Sequence, residues 1–292
     1  MATVVAGSSV PGLAMDIARE LSADFIGVAT SRFPDGELHI QIEEPSVARR
    51  VYYVQTMAPL PNERLTELLL TCDLLSELGC REIVAVVPYL GYTRQDHRKA
   101  PGEAVSVGTL FRLLEGVGVK EIVSVDIHLH RLSVDALKEM TDIEIKEVSA
   151  MPLLAKKCSI EEPLVVAPDM EAMRWARSAA EALKMEYAAM EKSRITPTKV
   201  EVSFGKLNVS DRNIMIVDDI VSTGGTMIET AKLLKSKGAG KVYAAFTHAV
   251  FSSVDCIANM FNAGITSLIS TNTIQNEFST VNVTELIASA LS

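Results

Sequence analysis

The chain has 292 residues, 48% of them apolar and 22% charged, with a formal net charge of -9. That balance excludes a disordered chain, supplies enough apolar material for two domains, and argues against nucleic acid as the main partner, since a duplex binder carries a basic footprint. An acidic protein that binds anionic phosphates must concentrate its positive charge locally. No apolar run approaches the ~20 residues that span a bilayer, and the opening MATVVAGSSVPG has no basic stretch followed by a long apolar one, so no membrane association and no signal peptide are expected. The four cysteines, Cys72, Cys80, Cys158 and Cys256, form no C-x-x-C pair and no metal-ligand spacing. Cys72 and Cys80 fall on or beside an apolar helical stretch, which suits reduced core thiols and a cytoplasmic protein.

In chain order, strands are expected at Thr3–Ala6, Val51–Gln55, Glu82–Val87, Glu121–Asp126, Leu164–Ala167, Asn213–Val217 and Lys241–Thr247. Several are apolar on both faces, as strands between helix layers are. Glu37–Glu43 alternates at period two and reads as an antiparallel or edge strand. Helices are expected over Asn62–Leu78, with Asn62 as cap and Gly79 as stop, and over Gly225–Lys237, with Gly238 beyond. Trp175 and the scattered methionines read as core. Strand–helix alternation predicts an α/β fold of two similar doubly wound domains with mainly parallel sheets, placed at residues 1–145 and 146–292. A faint echo supports the duplication: Ile83–Val87 runs into the loop Pro88–Asp96 much as Ile214–Val217 runs into Asp218–Thr226.

The strongest local signal is Val217-Asp-Asp-Ile-Val-Ser-Thr-Gly-Gly-Thr226. Glycine lets the backbone approach an anion, and a helix start offers free N–H groups and a favourable dipole. Adjacent carboxylates repel a phosphate but suit sugar hydroxyls or a metal. The pattern therefore points to a sugar phosphate, with phosphate on Ser222, Thr223, Gly224, Gly225 and Thr226 and ribose hydroxyls on Asp218 and Asp219. The bland reading is a strand–turn–helix whose hydroxyls merely cap the helix.

This segment resembles the phosphoribosyl-diphosphate loop of the type I phosphoribosyltransferase superfamily. Arg32–Glu37 and Pro88–Asp96 resemble the two ATP-binding segments of ribose-phosphate pyrophosphokinases. Val125–His130 resembles that family's divalent-metal segment, and Glu191–Arg194 its catalytic loop. These motifs stand in the family's order, in a form most similar to the archaeal type. Ser222 and His97 depart from the pattern: many relatives have a third acid at the first position and a basic residue at the second.

The resemblance implies Mg-ATP-dependent pyrophosphoryl transfer to ribose 5-phosphate on phosphoribosyltransferase-like domains. It implies that Phe33, Asp35, Glu37, Arg94 and Gln95 place ATP, with Phe33 as a stacking face. It implies that His128 and Asp169 help to hold Mg2+, with His130 peripheral, and that Lys192 and Arg194 stabilise the transferring group. An ATP site shared between subunits, hence at least a dimer, follows from the same likeness. Each element also has a plain reading: a turn at Pro34–Gly36, a solvated Arg94, surface or buried histidines, Asp169 as a helix cap, and solvated charges at Lys192 and Arg194. Two other readings of the whole chain stay open, a phosphoribosyltransferase and a non-catalytic regulatory subunit.

Overall fold

The computed structural model describes residues 2–43, 45–196, 199–203 and 208–292, with backbone alone over 191–203. The chain divides into two compact units, Met1–Ser149 with Val283–Ser292, and Ala150–Asn282. The sequence reading placed residues 283–292 with the second domain; the structure packs them with the first.

The first unit contains β1 (Thr3–Ala6), α1 (Pro11–Glu20), β2 (Asp24–Gly27), β3 (Ala29–Arg32), β4 (Leu38–Gln41), β5 (Arg50–Val54), α2 (Pro61–Glu77), β6 (Glu82–Val86), α3 (Ser106–Gly116), β7 (Val119–Val125), α4 (Val134–Lys138) and β8 (Glu144–Val148). Its parallel sheet has the order β2-β1-β5-β6-β7-β8. The central strands are buried apart from Arg50 and Glu82, the polar first residues of β5 and β6, as the doubly apolar runs require. The alternating segment at Leu38–Gln41 pairs antiparallel with β3 in a separate hairpin, register Thr30 to Ile40.

The second unit contains α5 (Met151–Lys157), β9 (Leu164–Ala167), α6 (Met173–Leu183), β10 (Tyr187–Ala189), β11 (Glu191–Thr196), β12 (Lys199–Ser203), β13 (Ile214–Val221), α7 (Gly225–Ser236), β14 (Val242–Ala249), α8 (Val254–Asn262), β15 (Ser267–Thr271) and β16 (Ser279–Val281). Its parallel sheet, β10-β9-β13-β14-β15-β16, repeats the strand order of the first, while β11 and β12 form an antiparallel pair. Its core joins Leu164, Ile214 and Ile216 of the sheet to Met227, Ala231 and Leu234 of α7 and Cys256 and Met260 of α8. Trp175 is buried in α6 with the Arg174 guanidinium 3.6 Å above its ring.

The last helix, α9 (Thr284–Leu291), buries Ile287, Ala288 and Leu291 against the first unit. There the Tyr52 hydroxyl donates to Leu291 O at 3.2 Å and Lys146 Nζ to Ala290 O at 3.3 Å.

Four local expectations are corrected. Helix α2 starts at Pro61, whose fixed φ suits the first helical position, so Asn62 is not its cap. Strand β13 continues to Val221 because β14 pairs with it through Ile220–His248 and Val221–Ala249, which puts Asp218 and Asp219 in the strand rather than in the loop. Strand β7 ends at Val125, and Asp126 takes φ +41, so the alternation of Asp126, His128 and His130 is not that of a strand face. The repeat is also one strand out of step. β13 and β5 both stand third in their sheets, whereas the apparent echo matched β13 to β6.

Candidate active site

In open α/β sheets ligands bind beyond the carboxyl ends of the strands, and the candidate residues of each unit lie there or on loops nearby.

In the second unit, β9 delivers Asp169 and β13 delivers Asp218 and Asp219. Asp218 accepts from Asp219 N at 3.0 Å, and Asp219 from Ile220 N at 2.9 Å. Asp219 is buried, at 3% exposure. Burial first, then the charge and hydrogen bonding of Asp219, then the charge of Asp169, push the Asp218 carboxyl well above its usual range. The site thus offers carboxyl oxygens, with the ionised form of Asp218 disfavoured. Those oxygens fit sugar hydroxyls and fit a phosphate poorly, and among the described residues no group of three or more His, Cys, Asp or Glu side chains is placed to hold a metal ion. Asp169 also accepts from Glu171 N at 2.9 Å and Ala172 N at 3.0 Å, so it caps the turn before α6 as well.

Beyond the acids, Val221 hands the chain to Ser222–Thr226, and α7 begins at Gly225. Gly224 is the N-cap residue at φ +71, a conformation that costs glycine nothing. A Cβ there would lie 2.8 Å from Cys256 Sγ. Thr223, Gly225 and Thr226 are exposed. The loop is tied from beneath: Ser222 O accepts from Ser252 N at 3.1 Å and from Cys256 Sγ at 3.3 Å. Lys192 and Arg194 sit on β11 by backbone, and their side chains lie outside the described residues.

In the first unit, Phe33–Glu37 forms the tip of the β3–β4 hairpin. Phe33 is 50% exposed, and Asp35 and Glu37 are exposed too. Phe33 N donates to Glu37 O and Gly36 N to Phe33 O, both at 2.9 Å, which fixes the turn that Pro34–Gly36 predicts. Arg32 donates to Gly36 O at 3.0 Å and pairs with Glu63 on the first turn of α2. Asn62, next to Glu63, bonds the Tyr92 hydroxyl. The two nucleotide-type segments are therefore braced by adjacent residues of one helix turn. Arg94 and Gln95 are exposed.

The next residue, Asp96, was not singled out from sequence. It is 4% exposed, and its Oδ2 accepts from His130 N at 2.9 Å, Arg131 N at 2.6 Å and Leu132 N at 2.8 Å. Its Oδ1 meets His97 Nδ1 at 2.7 Å. Burial alone raises the carboxyl's pKa, but the His97 hydrogen bond and the three backbone donors outweigh it and hold it down to about 2. His128 and His130 cross edge to face, with ring nitrogens 3.4 Å apart.

Glu67 was also missed. It is fully buried and takes Ser8 N and Ser8 Oγ, each at 2.7 Å, and Arg64 Nη1 at 3.0 Å. A glutamate at a helical position gives no sequence signal of this kind, because its Ser8 donors lie 59 residues away.

Two tandem α/β units of one strand order, the second with a glycine loop below paired acids, define a phosphoribosyltransferase-type protein. A family model described as the N-terminal domain of ribose phosphate pyrophosphokinase matches residues 2–118, and one described as a phosphoribosyl transferase domain matches residues 133–255. The chain is 36% identical to a ribose-phosphate pyrophosphokinase of Methanothermobacter thermautotrophicus over 289 residues, 99% of each chain. It is 37% identical to ribose-phosphate pyrophosphokinase 2 of Archaeoglobus fulgidus over 280 residues, 96% of each. Among solved structures, phosphoribosylpyrophosphate synthetase from Mycobacterium smegmatis matches with a TM-score of 0.86 and 27% identity over 100% of this chain and 98% of that one. The chain belongs to the ribose-phosphate pyrophosphokinase family.

Proposed function

We propose that the protein transfers the β,γ-pyrophosphoryl group of Mg-ATP to the anomeric hydroxyl of ribose 5-phosphate, giving 5-phospho-α-D-ribose 1-diphosphate and AMP. The observation that carries this reading is the union, in one chain matched over its whole length, of an ATP-segment unit and a sugar-phosphate unit.

The anomeric oxygen attacks the β-phosphorus in line. The bond from the β-phosphorus to the oxygen shared with the α-phosphate breaks, AMP leaves with that oxygen, and the hydroxyl proton passes to solvent. Ser222–Thr226 hold the 5-phosphate through hydroxyls and the helix start. Asp218 and Asp219 accept hydrogen bonds from ribose hydroxyls and so aim the anomeric oxygen. Phe33 stacks on adenine, Asp35 and Glu37 accept from the nucleotide, and Arg94 and Gln95 hold it. His128 and Asp169 would help to hold Mg2+, which would supply neutralisation of phosphate charge. Lys192 and Arg194 stabilise charge on the group in flight. Positioning and charge carry such transfers, so no dedicated general base is needed.

The exposed Phe33, Asp35 and Glu37 support a nucleotide site completed by a second subunit, and so a dimer or larger assembly. Four buried, unpaired cysteines support a cytoplasmic setting. Among the described residues no helix is long and apolar enough to cross a membrane.

The test is a coupled assay for AMP. Release that depends on both ATP and ribose 5-phosphate is expected. No release, or product formation only from phosphoribosyl diphosphate and a base, would overturn the reading.

A further inference from the structure

We infer that Asp96 is a positioning residue that clamps the segment carrying His128 and His130 to the segment carrying Arg94 and Gln95. The inference rests on the proposed function for its catalytic consequence and on geometry alone for the clamp.

The backbone N–H groups of His130, Arg131 and Leu132 converge on one carboxylate oxygen at 2.6–2.9 Å. Three consecutive donors aimed at one point form a small anion cradle, of the kind that elsewhere receives a phosphate or a bound anion. Here the anion is a side chain 34–36 residues away in sequence. The second oxygen holds His97, whose ring stands 6.4 Å from that of His130, and His130 in turn packs edge to face on His128. One buried carboxylate therefore fixes the backbone after His128 and the ring stack that flanks it.

The segment needs such a clamp because it has left the sheet. Strand β7 ends at Val125, and the left-handed turn at Asp126 takes the chain off the ladder. Ile127 N is held by Glu147 at 2.7 Å, and the three N–H groups after His128 and Leu129 are held by Asp96. Arg94 and Gln95 are the two residues before Asp96 in the chain, so the clamp also sets their distance from His128. His97, a departure from the family pattern, acquires a reason: its ring is the other contact of the clamping carboxylate.

The experiment compares wild type, Asp96→Ala and Asp96→Asn. Amide hydrogen exchange at residues 130–132 is read on the free protein. Turnover, the Michaelis constants for ATP and ribose 5-phosphate, and calorimetric binding of a non-hydrolysable ATP analogue are read alongside. Asp96→Ala is expected to raise exchange at 130–132 about tenfold or more, because the donors lose their acceptor. It is expected to lower turnover about tenfold to hundredfold and weaken nucleotide binding, since small misplacements of reacting groups have that effect. The Michaelis constant for ribose 5-phosphate should stay within about twofold, because the sugar-phosphate residues are in the other unit. Asp96→Asn should recover part of both effects, since its amide oxygen can still accept from the cradle and its NH2 can donate to His97.

Unchanged exchange at 130–132 would overturn the clamp. Raised exchange with wild-type turnover and nucleotide binding would overturn its catalytic role. A loss of active protein with unchanged constants in the remainder would reduce Asp96 to a structural residue. If Asp96→Ala does not fold, Asp96→Asn is judged by the same readouts at smaller amplitude. If wild type releases no AMP, the proposed function fails while the exchange comparison still decides the clamp.

Discussion

At Gly224 two constraints meet. The residue holds φ +71, and a Cβ would lie 2.8 Å from Cys256 Sγ and 3.3 Å from Met260 Cγ. Gly224→Ala is expected to raise the Michaelis constant for ribose 5-phosphate while leaving that for ATP near wild type. Cys256→Ala in the same chain should restore part of the loss by removing the closest clash, leaving the 3.3 Å approach to Met260 Cγ and the strain of φ, of order 1–2 kcal/mol. Kinetics of the single and double variants read this, and an ATP-specific defect would contradict it. Asp218 poses the opposite case. Burial and the neighbouring Asp219 and Asp169 disfavour its ionised form. Asp218→Asn is expected to raise Tm by a few degrees, about 1 kcal/mol or more, while weakening use of ribose 5-phosphate. A lower Tm would mean that the carboxylate is a net stabiliser. Asp96 carries a pH signature. An acid whose folded pKa lies near about 2, below the unfolded ~3.9, contributes stability that is complete above ~3.9 and lost as pH falls through the folded value. The stability gap between wild type and Asp96→Asn should therefore be full near neutral pH and shrink from pH ~4 toward pH ~2. Denaturant titrations at fixed pH measure the gap, and a constant value would remove the charge from the account.

Among the elements, the contrast lies between equivalent loops of the two units. In the second unit Asp169 follows β9 and Ser222–Thr226 follows β13, and much of that surface is exposed. In the first unit the loop after β1, Gly7–Ser9, is filled by its own neighbours. Glu67 takes Ser8 N, Gln55 Oε1 takes Ser9 N at 3.2 Å, and a Cβ on Gly7 would lie 2.2 Å from that oxygen. Internal side chains thus engage the donors of this loop. Glu67→Ala takes the acceptor from Ser8 N and Ser8 Oγ and one of two acceptors from Arg64 Nη1, and is expected to cost about 3 kcal/mol, read as a lowered midpoint in denaturant. The loop after Asp96 closes in the same way. Glu103 Oε2 accepts from Lys99 N at 2.7 Å and Ala100 N at 3.2 Å. With those donors engaged, ADP is expected to inhibit by competing with ATP. Inhibition that persists at saturating ATP would show a second anion site.

The extent to which the elements were legible follows from the same contrast. Buried strands such as Leu164–Ala167 announce themselves by local composition, and the glycine loop by local chemistry. The extension of β13 over two adjacent acids does not, because its cause is the partner strand β14. Asp96 and Glu67 look like ordinary polar residues until donors from 34 and 59 residues away arrive. The echo slipped by one strand because apolar runs resemble each other, whereas position in the sheet order separates them.

For the whole molecule, the return of α9 to the first unit is the feature with the widest reach. Ile287 and Leu291 are buried there, and burial of each contributes about 2 kcal/mol. Both ends of the chain therefore belong to one unit, and residues 150–282 are an insertion within it. Residues 150–282 are thus joined to the first unit at two points of the chain, after Ser149 and before Val283. A protease that cuts after Ser149 would leave the second unit attached through α9, which stays docked by Ile287 and Leu291, and both joints must be cut to free residues 150–282.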